Sequence, residues 1–329
     1  MRIVIDAYGG DNAPKAIIEG ASLACRQFDA DITLVGKEKE IREIINSLNL
    51  YFNENLKIVD TDDVIDMHDE PTSILKEHRN SSMGLAFSEL AEEKADAFVS
   101  AGSTGAIVVG GTLIVKRLKG VKRPALAGIM PSVNGNYMLM DMGANADCRP
   151  EMLKQFAVMA DVYLKNVSEI KSPKIGLLNI GAESTKGDEL HTKAYKLLSE
   201  SDLNFIGNIE ARDLLSGEAD AVITDGFSGN IALKTMEGTA ISLFSQLKKA
   251  MYKSFKNKLA AAVLKSDLYN IKKMLDSSEV GGAPLLGVNK PVIKAHGSSD
   301  AKAIMNAVRQ AIIFYENDVI EKIGENIKK

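Results

Sequence analysis

A chain of 329 residues that is 45% hydrophobic and 26% charged, with a mean hydropathy of −0.04, has the composition of an ordinary globular protein and the length to bury a sizeable core. Disordered and fibrous classes are excluded, and 40 Lys and Arg against 44 Asp and Glu leave a net charge of −4, so no global basic field draws the chain to nucleic acid. The two cysteines, Cys25 and Cys148, lie in unlike contexts without C-x-x-C spacing, which argues against a disulfide framework or a thiolate zinc site and makes a reducing cytoplasm the expectation.

The opening M-R-I-V-I-D-A-Y-G-G lacks the apolar core and cleavage pattern of a secretory signal and reads as a strand running into a turn. Short apolar or β-branched runs predict further strands: residues 3–7, 32–36, 56–60, 97–101, 137–142, 175–180 and 221–224. Helical apolar spacing falls between them at 16–28, 41–48, 83–94, 152–164 and 190–198. This alternation implies βαβ units around a mostly parallel sheet, an α/β fold. The longest nearly apolar run, 106–115, is far short of the roughly 18 residues of a spanning helix. No fixed-period repeat or Pro/Gly/Ser-rich linker divides the chain, so residues 1–329 are expected to form one unit. Within it, 240–277 is predicted to be helical, and 246–276 carries eight lysines against two aspartates, interleaved with apolar residues at helical spacing.

The unusual residues cluster where strands should end. D-A-Y-G-G-D (6–11), S-A-G-S-T-G-A (100–106), D-M-G-A-N-A-D (141–147), N-I-G-A-E-S-T-K-G (179–187) and T-D-G-F-S-G-N (224–230) each follow a predicted strand. G-G-A-P-L-L-G (281–287) and H-G-S-S (296–299) come later. Any one alone is ordinary turn and cap chemistry. Repetition on one rim of a parallel sheet points instead to a small anion held by backbone amides and hydroxyls. There is no G-x-x-x-x-G-K-[ST], no H-E-x-x-H, no G-x-G-x-x-G after the first strand and no G-x-S-x-G elbow. A triphosphatase, a zinc hydrolase and a covalent serine enzyme are therefore unsupported, which leaves chemistry in which the anion is itself the nucleophile.

Taken in order from Asp6 to Ala301, these segments resemble the PlsX family, the phosphate acyltransferases of bacterial phospholipid synthesis. The resemblance covers nearly the whole chain. It implies an enzyme that moves a long-chain fatty acyl group from acyl carrier protein to inorganic phosphate, giving acyl phosphate for a downstream membrane glycerol-3-phosphate acyltransferase. It also implies a three-layer α/β/α fold like that of isocitrate dehydrogenase and phosphotransacetylase, a homodimer, and no metal or other cofactor. Tyr8, Ser103 and Ala182 depart from the family pattern, where Met, Asn and an acidic residue are usual.

In this reading phosphate attacks the thioester carbon directly, and the protein's task is positioning and charge stabilisation. Lys186 is the first catalytic candidate, as a cation beside phosphate or the developing oxyanion, against the plainer reading of a surface lysine. Asn230 is a candidate donor to the thioester oxygen, Asp225 an orienting carboxylate or else a helix cap, and His191 a proton donor to the leaving thiolate or else an ordinary helical histidine. The expected phosphate-binding set is Gly102, Ser103, Thr104, Gly105, Asn145, Gly229, His296, Ser298 and Ser299. For the basic segment, Leu259, Val263 and Leu264 are expected to enter an anionic membrane surface while Lys256, Lys258 and Lys265 meet its headgroups. Docking of acidic acyl carrier protein or a dimer seam are the alternatives for that segment. The expected location is the cytoplasm, peripherally attached to the membrane. Two rival functions remain at this point: a phosphotransacetylase-like or dehydrogenase enzyme on the same fold, and a non-catalytic membrane scaffold for lipid enzymes.

Overall fold

The computed structural model describes residues 1–274 and 281–327. The chain begins with β1 (Arg2–Asp6), α1 (Lys15–Phe28), β2 (Asp31–Gly36), α2 (Glu38–Ser47) and β3 (Lys57–Asp60). A 3-10 turn at Pro71–Leu75 leads to α3 (Ser82–Ala91), β4 (Ala97–Ser100) and α4 (Thr104–Leu113). The hairpin β5 (Ala125–Ser132) and β6 (Gly135–Met140) precedes α5 (Pro150–Val167), β7 (Ile175–Asn179), α6 (Glu189–Ser199), β8 (Phe205–Glu210) and β9 (Ala221–Ile223). The last third holds α7 (Gly226–Tyr252), α8 (Phe255–Val263), α9 (Lys265–Met274), β10 (Ala283–Leu286), β11 (Val292–Lys294), α10 (Ala301–Glu316) and α11 (Val319–Asn326).

The strands form one 11-stranded sheet in the order β3-β2-β1-β4-β11-β10-β5-β6-β9-β7-β8. The block β3-β2-β1-β4-β11 is parallel throughout, as is β6-β9-β7-β8. The antiparallel pairs β11-β10, β10-β5 and β5-β6 join the blocks and reverse the strand direction between them. The mostly parallel α/β expectation holds, with helices on both faces of the sheet.

Burial on both faces explains why the strands read as apolar runs. In β1, Ile3 and Ile5 join a cluster with α1 and α10, while Val4 between them joins one with α3 and α4. In β6, Met138 and Met140 pack on α5, while Tyr137 and Leu139 pack toward Leu233 and Met236 of α7. Both cysteines are buried and free.

Helix α7 departs from the rule that a helix covers the sheet along its length. Of its 27 residues only Gly226 and Gly229, in the first turn, are fully buried. Helix α8 buries none, and Phe255, Leu259, Val263 and Leu264 are 77%, 56%, 79% and 50% exposed. The predicted basic segment 240–277 is thus a helical arm, of which 275–277 lie outside the described residues. Among the described residues no helix is long and apolar enough to cross a membrane.

Candidate active site

Loops leaving both parallel blocks meet in a cleft of about 690 Å³. From the first block come Asp11 after β1, Gly102 and Thr104 after β4, and Lys294 to Asp300 at the end of β11. From the second come Met142 and Gly143 after β6 and the first turns of α7, with Asn230, Leu233, Lys234 and Glu237. Leu126, Gly128, Ile129 and Met130 of β5 supply an apolar wall, to which Met67, Met142 and Leu233 add.

The first-block loops are held by a buried carboxylate. Asp6 accepts hydrogen bonds from Ser82 Oγ at 2.6 Å, Ser100 Oγ at 2.7 Å and the Tyr8 amide at 3.2 Å. Burial pushes its carboxyl above the usual range, and these donors oppose the shift. Ser100 Oγ also accepts the Gly102 amide at 2.9 Å, tying the β4 loop to the β1 loop. Gly9 is required here because a Cβ would stand 2.6 Å from both Asp6 Oδ2 and the Gly102 amide. Ser103 caps α4, its hydroxyl accepting from the Ala106 amide. Gly105 packs on Pro71, 2.6 Å from where its Cβ would lie. Of the predicted Gly102–Gly105 set, Gly102 and Thr104 therefore line the cleft, and Ser103 and Gly105 build the turn behind it.

Asp141 plays the corresponding part in the second block. Its Oδ1 accepts the Leu126 and Ala144 amides at 3.0 and 3.1 Å, and its Oδ2 accepts the Asn145 amide and Nδ2, both at 2.8 Å. Burial nevertheless pushes its carboxyl up to about 6. Asn145 Nδ2 also donates to the Pro124 carbonyl at 2.7 Å, and the Asn145 carbonyl accepts the Gly226 amide at 2.7 Å. Asn145 is thus a bracket between the β6 loop and the start of α7, outside the cleft lining. Asp225 is the N-cap of α7, accepting the Ser228 amide at 2.8 Å. Gly229 presses against Asp141, whose carbonyl oxygen would be 1.9 Å from a Cβ, and this close approach places Asn230 on the cleft wall.

The β11 exit carries the titratable groups. His296 Nδ1 accepts the Ser298 amide at 3.2 Å and lies 2.8 Å from Ser298 Oγ, which assigns the ring proton to Nε2, 3.7 Å from Glu237 Oε1. Burial pushes the His296 imidazole below its usual value, partly offset by Glu237. Glu237 Oε2 accepts Lys234 Nζ at 3.2 Å. Lys294 donates to the Ala295 carbonyl. Burial, then the like charge of Lys234, pull its ammonium down to about 8, with Asp11 opposing. Ser299 is 5% exposed, and its hydroxyl has no hydrogen-bond partner among the described residues.

The predicted residues thus divide. Gly102, Thr104, Asn230, His296, Ser298 and Ser299 come together, while Lys186 and His191 stand outside the cleft lining. Lys186 is exposed on the loop after β7, its carbonyl accepting Asn179 Nδ2 at 3.0 Å. His191 Nδ1 lies 2.6 Å from Asp188 Oδ1, the cap of α6. Sequence reasoning missed Lys234, Glu237 and Lys294. A signal existed: Lys234 follows Asn230 by four residues on one helix face, and Lys294 sits two residues before the H-G-S-S motif.

The fold is shared with solved phosphotransacetylases. A phosphotransacetylase from Streptococcus pyogenes aligns with a TM-score of 0.60 at 18% identity, covering 100% of this chain and 94% of that one. A branched-chain phosphotransacylase from Enterococcus faecalis aligns with a TM-score of 0.60 at 13% identity, covering 96% and 99%. At family level, residues 1–322 match the model described as "Fatty acid synthesis protein". A phosphate acyltransferase from a Geobacillus species is 52% identical over 331 residues, covering 100% of this chain and 99% of the relative. A phosphate acyltransferase from Geobacillus thermodenitrificans is 50% identical, with the same coverage. The chain belongs to the phosphate acyltransferase family and is an acyltransferase whose acceptor is phosphate.

Proposed function

We propose that the enzyme takes a long-chain acyl group from the thioester of acyl carrier protein and passes it to inorganic phosphate in this cleft, supplying acyl phosphate to phospholipid synthesis. The observation that carries the reading is one cavity combining an apolar wall from β5, Met142 and Leu233 with the polar rim of Thr104, Asn230, His296, Ser298 and Ser299. The wall suits a fatty acyl chain, and the rim suits an oxyanion.

A phosphate oxygen attacks the thioester carbon, forming the new O–C bond. The carbonyl oxygen takes up negative charge, which the Asn230 amide on the cleft wall stabilises by donating a hydrogen bond. The C–S bond then breaks and its electron pair leaves on sulfur. The proton carried by hydrogenphosphate ends on the thiol, so one hydrogenphosphate and one thioester give one acyl phosphate dianion and one thiol. Acceleration comes from holding the two reactants in contact. Asp225 keeps the first turn of α7, and so Asn230, in place. Lys186, exposed on its loop, is a cation available to the acidic carrier and its thioester, with His191 behind it on α6.

The arm completes the proposal. The apolar side chains Phe255, Leu259, Val263 and Leu264, with Lys256, Lys258 and Lys265 beside them, suit an anionic membrane surface, from which a membrane-bound acyltransferase would collect the lipid-like product. The exposed length of α7 suits a homodimer seam. A cytoplasmic enzyme resting on the membrane satisfies both.

The test is incubation with palmitoyl-acyl carrier protein, with and without inorganic phosphate, following free thiol and acyl phosphate. Phosphate-dependent appearance of both is expected. Thiol release without phosphate would mean a thioesterase, and turnover with acyl-coenzyme A alone would reassign the donor.

A further inference from the structure

Hydroxyls and amides give phosphate hydrogen bonds, but a dianion drawn out of water into a cleft also needs cations. Two lysines stand in the lining, from elements far apart in sequence: Lys294 ends β11, and Lys234 lies in α7 one turn beyond Asn230. Each has a backing group, Glu237 Oε2 for Lys234 at 3.2 Å and the Ala295 carbonyl for Lys294. Ser299, in the same lining, keeps a buried hydroxyl that has no hydrogen-bond partner among the described residues. Buried polar atoms are rarely left so, and this one lies in the same cleft lining as the two lysines.

We propose that Lys294 and Lys234 form a two-cation cradle for the attacking inorganic phosphate, with Ser299 Oγ as its buried hydrogen-bond partner. The proposal rests on reading the cleft as the site of acyl transfer to phosphate, and it assigns the charge-bearing residues of that site. Lys294 feels the charges of Lys234 from α7 and Asp11 from the loop after β1 and acts in turn on His296 beyond its own strand, while Glu237 of α7 and Asp300 share the cleft lining. Burial and Lys234 together bring the Lys294 ammonium down to about 8, an arrangement that an entering anion relieves. Lys294 is charged below that pH and neutral above it, so capture of phosphate weakens on the alkaline side. Because kcat/KM reports the free enzyme, the limb is visible there.

The experiment measures kcat and KM for phosphate and for palmitoyl-acyl carrier protein between pH 6 and 10, with calorimetric titration of the full chain by inorganic phosphate. Lys294→Met is expected to lower kcat/KM for phosphate by about 10–100-fold, the loss of one hydrogen bond to a charged group, and to leave KM for the acyl carrier little changed. The alkaline limb near pH 8 disappears with it. Lys294→Arg restores part of the affinity and carries the limb beyond the measured range. Lys234→Met weakens phosphate binding but moves the limb upward, because Lys294 loses its like-charged neighbour. A purely structural lysine would not produce that shift. The cradle is overturned if Lys294→Met binds phosphate as wild type does, or if the limb stays in place in both methionine variants. Should Lys294→Met fail to fold, the direction of the limb in Lys234→Met decides. Wild-type turnover that needs no phosphate would overturn the functional reading and the cradle together, whereas phosphate-dependent turnover with an unaffected Lys294→Met overturns the cradle alone.

Discussion

Replacing Gly229 by alanine tests how the cleft end of α7 is set against the sheet. The added Cβ would lie 1.9 Å from the Asp141 carbonyl oxygen and 2.9 Å from Thr224 Cγ2. Ordinary contact is about 3.5 Å, so helix and loop must part by roughly 1.5 Å. The loop cannot easily yield, because the Asp141 carboxylate is held by the Leu126, Ala144 and Asn145 amides and by Asn145 Nδ2. Overpacking of this kind costs about 1–3 kcal/mol, and an ångström of misplacement at Asn230, the next residue, costs about 100-fold in turnover. Gly238, nine residues on in the same helix, is the control, since nothing lies within 4 Å of its ideal Cβ. Gly238→Ala should stabilise by about 0.5–1 kcal/mol through helix propensity and leave turnover unchanged. Urea unfolding and phosphate-dependent thiol release on both variants give the comparison. A Gly229→Ala protein that unfolds and turns over like wild type would refute the packing, as would a destabilised Gly238→Ala.

Asp225→Ala removes the α7 cap and should cost about 1 kcal/mol in urea unfolding together with a loss of turnover, both largely restored by Asp225→Ser. Asp141 predicts a pH dependence: its folded value near 6 lies above the unfolded value of about 3.9, so the folded chain binds more protons over that interval. Its contribution to stability therefore falls by about 3 kcal/mol as pH rises from about 4 to about 6, and a wild-type slope no steeper than that of Asp141→Asn would refute this. On the arm, Leu259→Glu with Val263→Glu should abolish co-flotation with vesicles containing anionic lipid while turnover in solution persists; unchanged flotation would remove the membrane from the proposal.

The parts of the fold that the sequence discloses are those whose side chains are buried on two faces. Strands β1, β2, β4, β7 and β9 appear as apolar runs because both neighbouring layers are apolar. Strand β10 hides behind Pro284, and its G-G-A-P-L-L-G context reads as a turn. Helix α4, T-G-A-I-V-V-G-G-T-L, has apolar residues all round and no amphipathic period to betray it. The loops of the site are legible for a related reason, since glycines mark where backbones meet. The task of each residue is less legible. Asn145, Gly229 and Ser103 carry the signature of an anion loop, yet their polar atoms and close contacts are spent on neighbouring backbone. Lys294 and Lys234 lie 60 positions apart and meet only because β11 and α7 converge.

That convergence follows from the reversal of strand direction. In an open parallel sheet, ligands gather outside the carboxyl ends of the strands, and a single block offers one such rim. Here β10, β5 and β6 run antiparallel between two blocks, so each block brings its own rim, and the loops after β1, β4 and β11 share one cleft with those after β6 and β9. The junction strand β5 is left between the rims and lends the cleft its apolar face. The polar loops and the apolar wall of the cleft are thus consequences of one topological feature. The proposed transfer of a fatty acyl group to phosphate requires that pairing, and in that reading two reactants held together there need no nucleophile from the protein.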